Sequence, residues 1–143
     1  MSKHFTLAEL CRSQIAAAKH IDNTPPPDIA KNLAILADEL DQIRELLGNH
    51  PIRITSGYRC PALNRLVSGA KHSAHLQGWA ADFICPNFGN TIDIVRAIVA
   101  SDAQFDKIVN EGTWVHISFD PRARRIALTA HFTPNGTIYR QLA

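Results

Sequence analysis

Residues 73–82 read SAHLQGWAAD, and they place a histidine, a glycine and an aspartate just before the apolar run Phe83-Ile84-Cys85. A carboxylate taken out of water costs about several kcal/mol unless it is paired, hydrogen-bonded or metal-bound. Asp82 therefore needs a turn to cap, a cation such as Arg59 or Lys71, or a metal. Strand alternation over 80–85 puts Ala80, Asp82 and Ile84 on one face. The same rule applied to TWVHISF puts Trp114, His116 and Ser118 on one face. If the two strands are neighbours with those faces aligned, Asp82 and His116 converge. His75 joins them from the preceding loop, where Gly78 lets the backbone bend back. Two imidazoles and one carboxylate leave a fourth position for water, the layout of a catalytic rather than a closed structural zinc site. Each residue alone has a plainer reading: a solvated loop histidine, a satisfied core histidine, an ion-paired aspartate. The combination favours a metal.

The elements that must position these residues are legible from periodicity and caps. Thr6-Leu-Ala-Glu9 has the form of a capping box and predicts a helix over 6–19 with Leu7, Leu10, Ile15 and Ala18 inward. A stiff Asp22-Asn-Thr-Pro-Pro-Pro27 connection leads into a long amphipathic helix with the stripe Ile29, Leu33, Leu36, Leu40, Ile43 and Leu47, ended by Gly48-Asn49. Strands are expected over 52–58, 80–85, 105–109, 114–119 and 125–130, with a short helix over 60–67 and an amphipathic helix over 91–101. A turn is expected at Asn135-Gly136. This is an α+β pattern: one domain over 1–143, with N-terminal helices (about 5–48) packed on a small, mainly antiparallel sheet (about 51–143) that carries one crossover helix.

The chain has 143 residues, enough for a core without disulfide staples. A net charge of +2 is too small for a nucleic-acid footprint, so no nucleic-acid partner is expected. Cys11, Cys60 and Cys85 cannot all pair and show no CxxC spacing, so they read as reduced thiols. The N-terminal MSKHFTLAEL lacks the apolar core of a secretory signal, and no run is long enough for a membrane span. A monomer made in the cytoplasm, with no stable membrane association, is the expectation.

The spaced motifs Ser73-Ala-His75-Leu-Gln-Gly78-Trp-Ala80-Ala-Asp82 and Trp114-Val-His116 resemble the SxHxxGxAxD…WxH signature of the M15 metallopeptidases. FTLAELCRSQ and ITSGYRCPALN resemble the phage and prophage branch of that family, and the likeness runs from Phe5 to about Ala130. The resemblance implies a hedgehog/DD-peptidase-like fold and a Zn2+ ion held by His75, Asp82 and His116. It implies cleavage of peptidoglycan stem peptides, either as a D-Ala-D-Ala carboxypeptidase or as an endolysin-type endopeptidase that reaches the wall after phage-mediated release. It also implies that Arg59 grips a substrate carboxylate or the oxyanion, chemistry that a bidentate guanidinium suits; its plainer role is a salt bridge.

The sequence departs from the family at the general base. Many members carry an acid three positions before the last histidine, where this chain has Thr113. Glu111 is the nearest carboxylate and the expected base, with Asp106 in reserve. Ser73, Gln77 and Trp114 are candidate substrate contacts; Lys71 and His72 sit nearby at the rim, and His131 is read as a bystander. Non-haem iron chemistry fits poorly, because such sites bring the first histidine and the acid closer together on a jelly-roll strand. The remaining rival is a non-catalytic, zinc-stabilised binding or virion-structural module whose base has drifted.

Overall fold

The computed structural model describes residues 2–142. It is an α+β fold in which five helices accompany a six-stranded, mainly antiparallel sheet. The helices are α1 (Leu7–Cys11), α2 (Gln14–Ala18), α3 (Pro27–Leu46), α4 (Pro61–Leu66) and α5 (Thr91–Ala100). The strands are β1 (Arg53–Ser56), β2 (Ala80–Ile84), β3 (Lys107–Asn110), β4 (Val115–Ser118), β5 (Ile126–Thr133) and β6 (Gly136–Gln141). Their order across the sheet is β1-β2-β4-β3-β5-β6. Among the described residues, only β3 and β5 pair in parallel. Because β2 and β3 both run antiparallel to β4, the connection between them is a crossover, and α5 makes it.

One helix is expected over 6–19, but two short ones form. Thr6 caps α1 by accepting from the Glu9 amide, and Ser13 caps α2 by accepting from the Ala16 amide. A second capping serine thus competes with helix continuation at Arg12-Ser13, where the backbone is extended. The break changes the inward set: Leu10 and Ala16 are buried, whereas Leu7, Ile15 and Ala18 face solvent. The long helix follows its stripe. Proline opens α3 at its first position, and Gly48 and Asn49, both at positive φ, follow its end.

One core holds the layers together. Leu33, Leu36, Leu40 and Ile43 of α3 pack with Ile94, Val95 and Ile98 of α5 on the sheet face made by Ala81, Phe83, Ile108, Val115 and Ile117. Each fully buried Leu, Ile or Phe contributes about 2 kcal/mol of transfer free energy. The opposite face of the same strands carries Asp82 and His116. This division answers why a carboxylate sits in an apolar strand: its two neighbours, Ala81 and Phe83, point into the core while it points away.

The C-terminal region is longer than the sequence reading indicates. Strand β5 continues to Thr133, and the Asn135-Gly136 turn returns the chain as β6, which pairs with β5 from Leu128↔Gln141 to Thr133↔Gly136. Every residue of β6 is exposed, so it carries no burial pattern to read. Among the described residues, no helix is long and apolar enough to cross a membrane.

Candidate metal centre

Adjacent strands β2 and β4 set the first pair of ligands. Their antiparallel register places Asp82 directly opposite His116, and directly opposed residues share a face. His75 arrives on a 3-10 turn, Ala74–Gln77, immediately before β2. The Ser73 hydroxyl caps that turn by accepting from the His75 amide, and Gly78 closes it in the left-handed region at φ 74°. A Cβ there would also press on Ile29 and Leu33 at about 3.0–3.1 Å, so glycine is required twice over.

The three side chains meet at one point. Asp82 Oδ1 lies 3.2 Å from His75 Nε2 and 2.9 Å from His116 Nδ1, and one ligand atom from each residue falls within 4.8 Å of the others. Tetrahedral coordination at zinc bond lengths separates ligand atoms by roughly 3.3 Å, close to these spacings. The tautomer of His75 sharpens the fit. Its Nδ1 lies 2.7 Å from the Gly57 carbonyl; a carbonyl can only accept, so Nδ1 carries the hydrogen. With Nδ1 committed to that carbonyl, the ring directs Nε2 at the Asp82 carboxylate, the placement that two ligands of a shared cation take. Backbone carbonyls orient metal-binding histidines in this way in known metal sites. The donor set therefore fits a divalent cation.

Burial grades across the cluster. The His75 and Asp82 side chains are 3% and 8% exposed, whereas that of His116 retains 17%. His116 is thus the most exposed of the three. Burial works to raise the Asp82 pKa, but the charge and hydrogen bonds of His75 and His116 overcome it and hold the carboxyl far below its usual range.

Arg59 stands against the carboxylate. Its Nη2 lies 3.5 Å from Asp82 Oδ2, its Nε donates to Ser56 Oγ at 3.3 Å, and its Nη1 donates to Asn64 Oδ1 at 3.3 Å. Asn64, itself buried, donates in turn to the Ala70 carbonyl. The ion pair anticipated between Arg59 and Asp82 is present, and it places the guanidinium beside the ligands. Desolvation lowers the Arg59 pKa, and the charge of Asp82 partly offsets the shift.

Glu111 follows β3 on the strand side that faces the ligands. Its amide donates to the Trp114 carbonyl, closing the turn into β4. Burial raises its carboxyl pKa; the charge of His116 and a hydrogen bond from Tyr139 oppose the rise, and Asp82 adds to it. Thr113, at the position where many relatives have an acid, is exposed in the turn. Asp106 is held elsewhere: Arg124 Nε donates to its Oδ1 at 2.8 Å and Nη2 to its Oδ2 at 2.9 Å, leaving it an ion-pair partner.

A cleft of about 520 Å³ opens beside the centre, lined by Asp82, Trp114, Arg59 and Ser56 and continuing to Arg53 and to Arg12 at the α1–α2 break. Trp114 is 37% exposed and lies on the cleft wall. Gln77 is exposed and is held through its backbone carbonyl, which accepts from Asn32. Lys71, His72 and His131 are exposed. Four residues that shape the centre had no role in the sequence reading: Gly57 through its carbonyl, Ser56 and Asn64 around Arg59, and Tyr139 beside Glu111. The first three lie in or next to the SGYR…N segment, so their proximity to Arg59 was the available signal.

An α+β fold that turns two imidazoles and a carboxylate outward from one sheet, beside an arginine-lined cleft, has the makings of a mononuclear metallohydrolase. The family model described as Peptidase M15 matches residues 3–118, and the chain belongs to the peptidase M15 family. That family implies a hydrolase of the metallopeptidase class, and its peptidases are zinc-dependent. No curated protein sequence matches the chain.

Proposed function

We propose that this protein is a zinc peptidase that cleaves a peptide bond in peptidoglycan stem peptides, with His75, Asp82 and His116 as ligands and Glu111 as general base. The observation that carries the catalytic reading is the half-buried Glu111 within electrostatic reach of both Asp82 and His116, its carboxyl pKa raised by burial. A raised carboxylate is suited to taking a proton near neutral pH and giving it up again. When bound, zinc supplies Lewis acidity that polarises a carbonyl and lowers the pKa of water towards about 7.

The chain's own residues do the rest. Glu111 accepts the proton of the attacking water and delivers it to the leaving amine. Arg59, fixed by Ser56 and Asn64, holds a substrate carboxylate or the developing oxyanion. Trp114 walls the cleft. Arg12 and Arg53 extend the cationic lining beyond Arg59, and among the described residues Asp82 is the carboxylate that lines the cleft, already engaged with the histidines. Such a lining suits a peptide bearing several free carboxylates, as stem peptides do. Release from the cytoplasm during phage-mediated lysis would bring the monomer to its substrate.

The test is incubation of zinc-loaded wild type and Glu111→Gln with muropeptides of defined stem, products read by mass. Product from wild type alone establishes the peptidase, and its mass separates loss of a terminal alanine from an internal cut. Equal inactivity of both proteins with one zinc per chain favours the binding or virion-structural role.

A further inference from the structure

Three strands away from the ligands, the register brings an unassigned side chain to the base. Val109 of β3 lies opposite His116 on one side and Leu128 on the other. Asn110 pairs with Thr129, so Glu111, one residue on, falls level with Ala130. Ala130 pairs in turn with Tyr139 on β6. Glu111, Ala130 and Tyr139 therefore form one row on the ligand-bearing face. The row spans two strand spacings, roughly 10 Å from Glu111 to Tyr139. Ala130 has only a methyl group to fill the middle, so the long phenol and the glutamate reach towards each other above it, close enough for each to shift the other's pKa.

The same hairpin grips the turn at a second point. A Cβ on Gly112 would lie 3.3 Å from the Phe132 ring, so that ring rests against the glycine next to Glu111. From the other side the Thr91 hydroxyl donates to the Gly112 carbonyl at 3.1 Å. The turn that carries Glu111 is thus held between α5 and β5–β6. The phenol of Tyr139 is shifted up by burial first, then by the charge and hydrogen bond of Glu111 and by Asp82, so it remains the proton donor of the pair.

We propose that Tyr139 is the positioning residue of the general base, donating a hydrogen bond that fixes the Glu111 carboxylate on the ligand face, and that the β5–β6 hairpin thereby completes the active site. The proposal rests on Glu111 acting as the base. The titratable groups that face Glu111 are His116 of β4, Asp82 of β2 and Tyr139 of β6.

Tyr139→Phe tests it, because the position is half-exposed and the ring is retained. With zinc loaded, kcat is expected to fall by roughly ten- to a hundredfold, the scale of one hydrogen bond to a charged group, with little change in KM or bound zinc. Loss of a donor to the charged form is expected to move the acid limb of the rate profile to higher pH. The Glu111 carboxyl, followed by 13C NMR through a pH titration of the same holoprotein, is expected to move the same way without any substrate. An unchanged carboxyl titration overturns the contact. An unchanged kcat and acid limb, while Glu111→Gln is inactive, overturns the positioning role. Activity retained in Glu111→Gln instead overturns the assignment of the base, leaving the carboxyl titration to decide the contact.

Discussion

The candidate ligands and the proposed base of this centre are held by different means. His75 and Asp82 are almost fully buried, and backbone geometry places them: a strand register, a capped 3-10 turn and the Gly57 carbonyl. Glu111 is half-buried in a turn, gripped by side chains from α5 and an exposed hairpin. The ligand residues lie within 3–118, the stretch matched by the family model, whereas Phe132 and Tyr139 lie beyond it. A metal site tolerates little displacement of its donors, so rigid backbone supports suit it. A base must exchange a proton with solvent or substrate, and partial exposure serves that.

The largest effects should come from removing either half outright, and they should differ in kind. Asp82→Ala leaves two imidazoles and Arg59 without their shared carboxylate. Bound zinc should drop below one equivalent by elemental analysis, and turnover by about three orders of magnitude or more. Glu111→Gln should lose about 10²- to 10⁴-fold in turnover while its zinc content stays at one. Zinc loss in the second variant would erase the distinction between the halves.

Gly57→Ala probes the backbone support directly. A Cβ there would sit 2.1 Å from the Leu10 carbonyl oxygen, a backbone atom that already accepts from the Tyr58 amide. The shift needed should cost about 3 kcal/mol in a denaturant melt and weaken zinc binding by displacing the carbonyl that orients His75. A wild-type melt and zinc affinity would remove Gly57 from the ligand side's supports. Asn64→Ala should be milder: Arg59 loses one holder, and KM should rise by roughly tenfold with zinc unchanged.

The smallest effect lies outside both halves. Asp106 is buried and its carboxyl is held below the usual range, first by the Arg124 hydrogen bond. Its stabilisation is present above the unfolded carboxyl value of about 3.9 and is lost as pH falls through the lower folded value. Asp106→Asn should therefore reduce stability at neutral pH and flatten the acid limb of the stability curve in urea melts. Turnover per folded molecule should not change.

What was legible follows the same divide. The α+β class, the long helix and the crossover helix rest on periodicity, and period reports which face is buried. The convergence of Asp82 with His116 followed from alternation once the two strands were taken as aligned neighbours, because a strand has only two faces, and the β2–β4 register supplies that pairing. The break at Arg12-Ser13 was not legible, since the apolar spacing of Leu7, Leu10 and Ile15 continues across it and a local cap decided otherwise. Strand β6 was silent because it is exposed at every position. Tyr139 could not be placed without that strand: its nearness to Glu111 depends on two registers in succession.

One carboxamide also bears on how the chain can be divided. The Asn23 side chain donates to the Cys11 and Tyr58 carbonyls and accepts from the Cys60 amide. It thus ties the end of α1 to both sides of Arg59. The apparent border between helices and sheet near residue 50 is therefore a poor place to cut. A fragment beginning there would keep every ligand in its sequence, yet lose the brace on the arginine loop and the α3 side of the core. Engineered chimaeras that borrow this catalytic unit should carry the N-terminal helices with it.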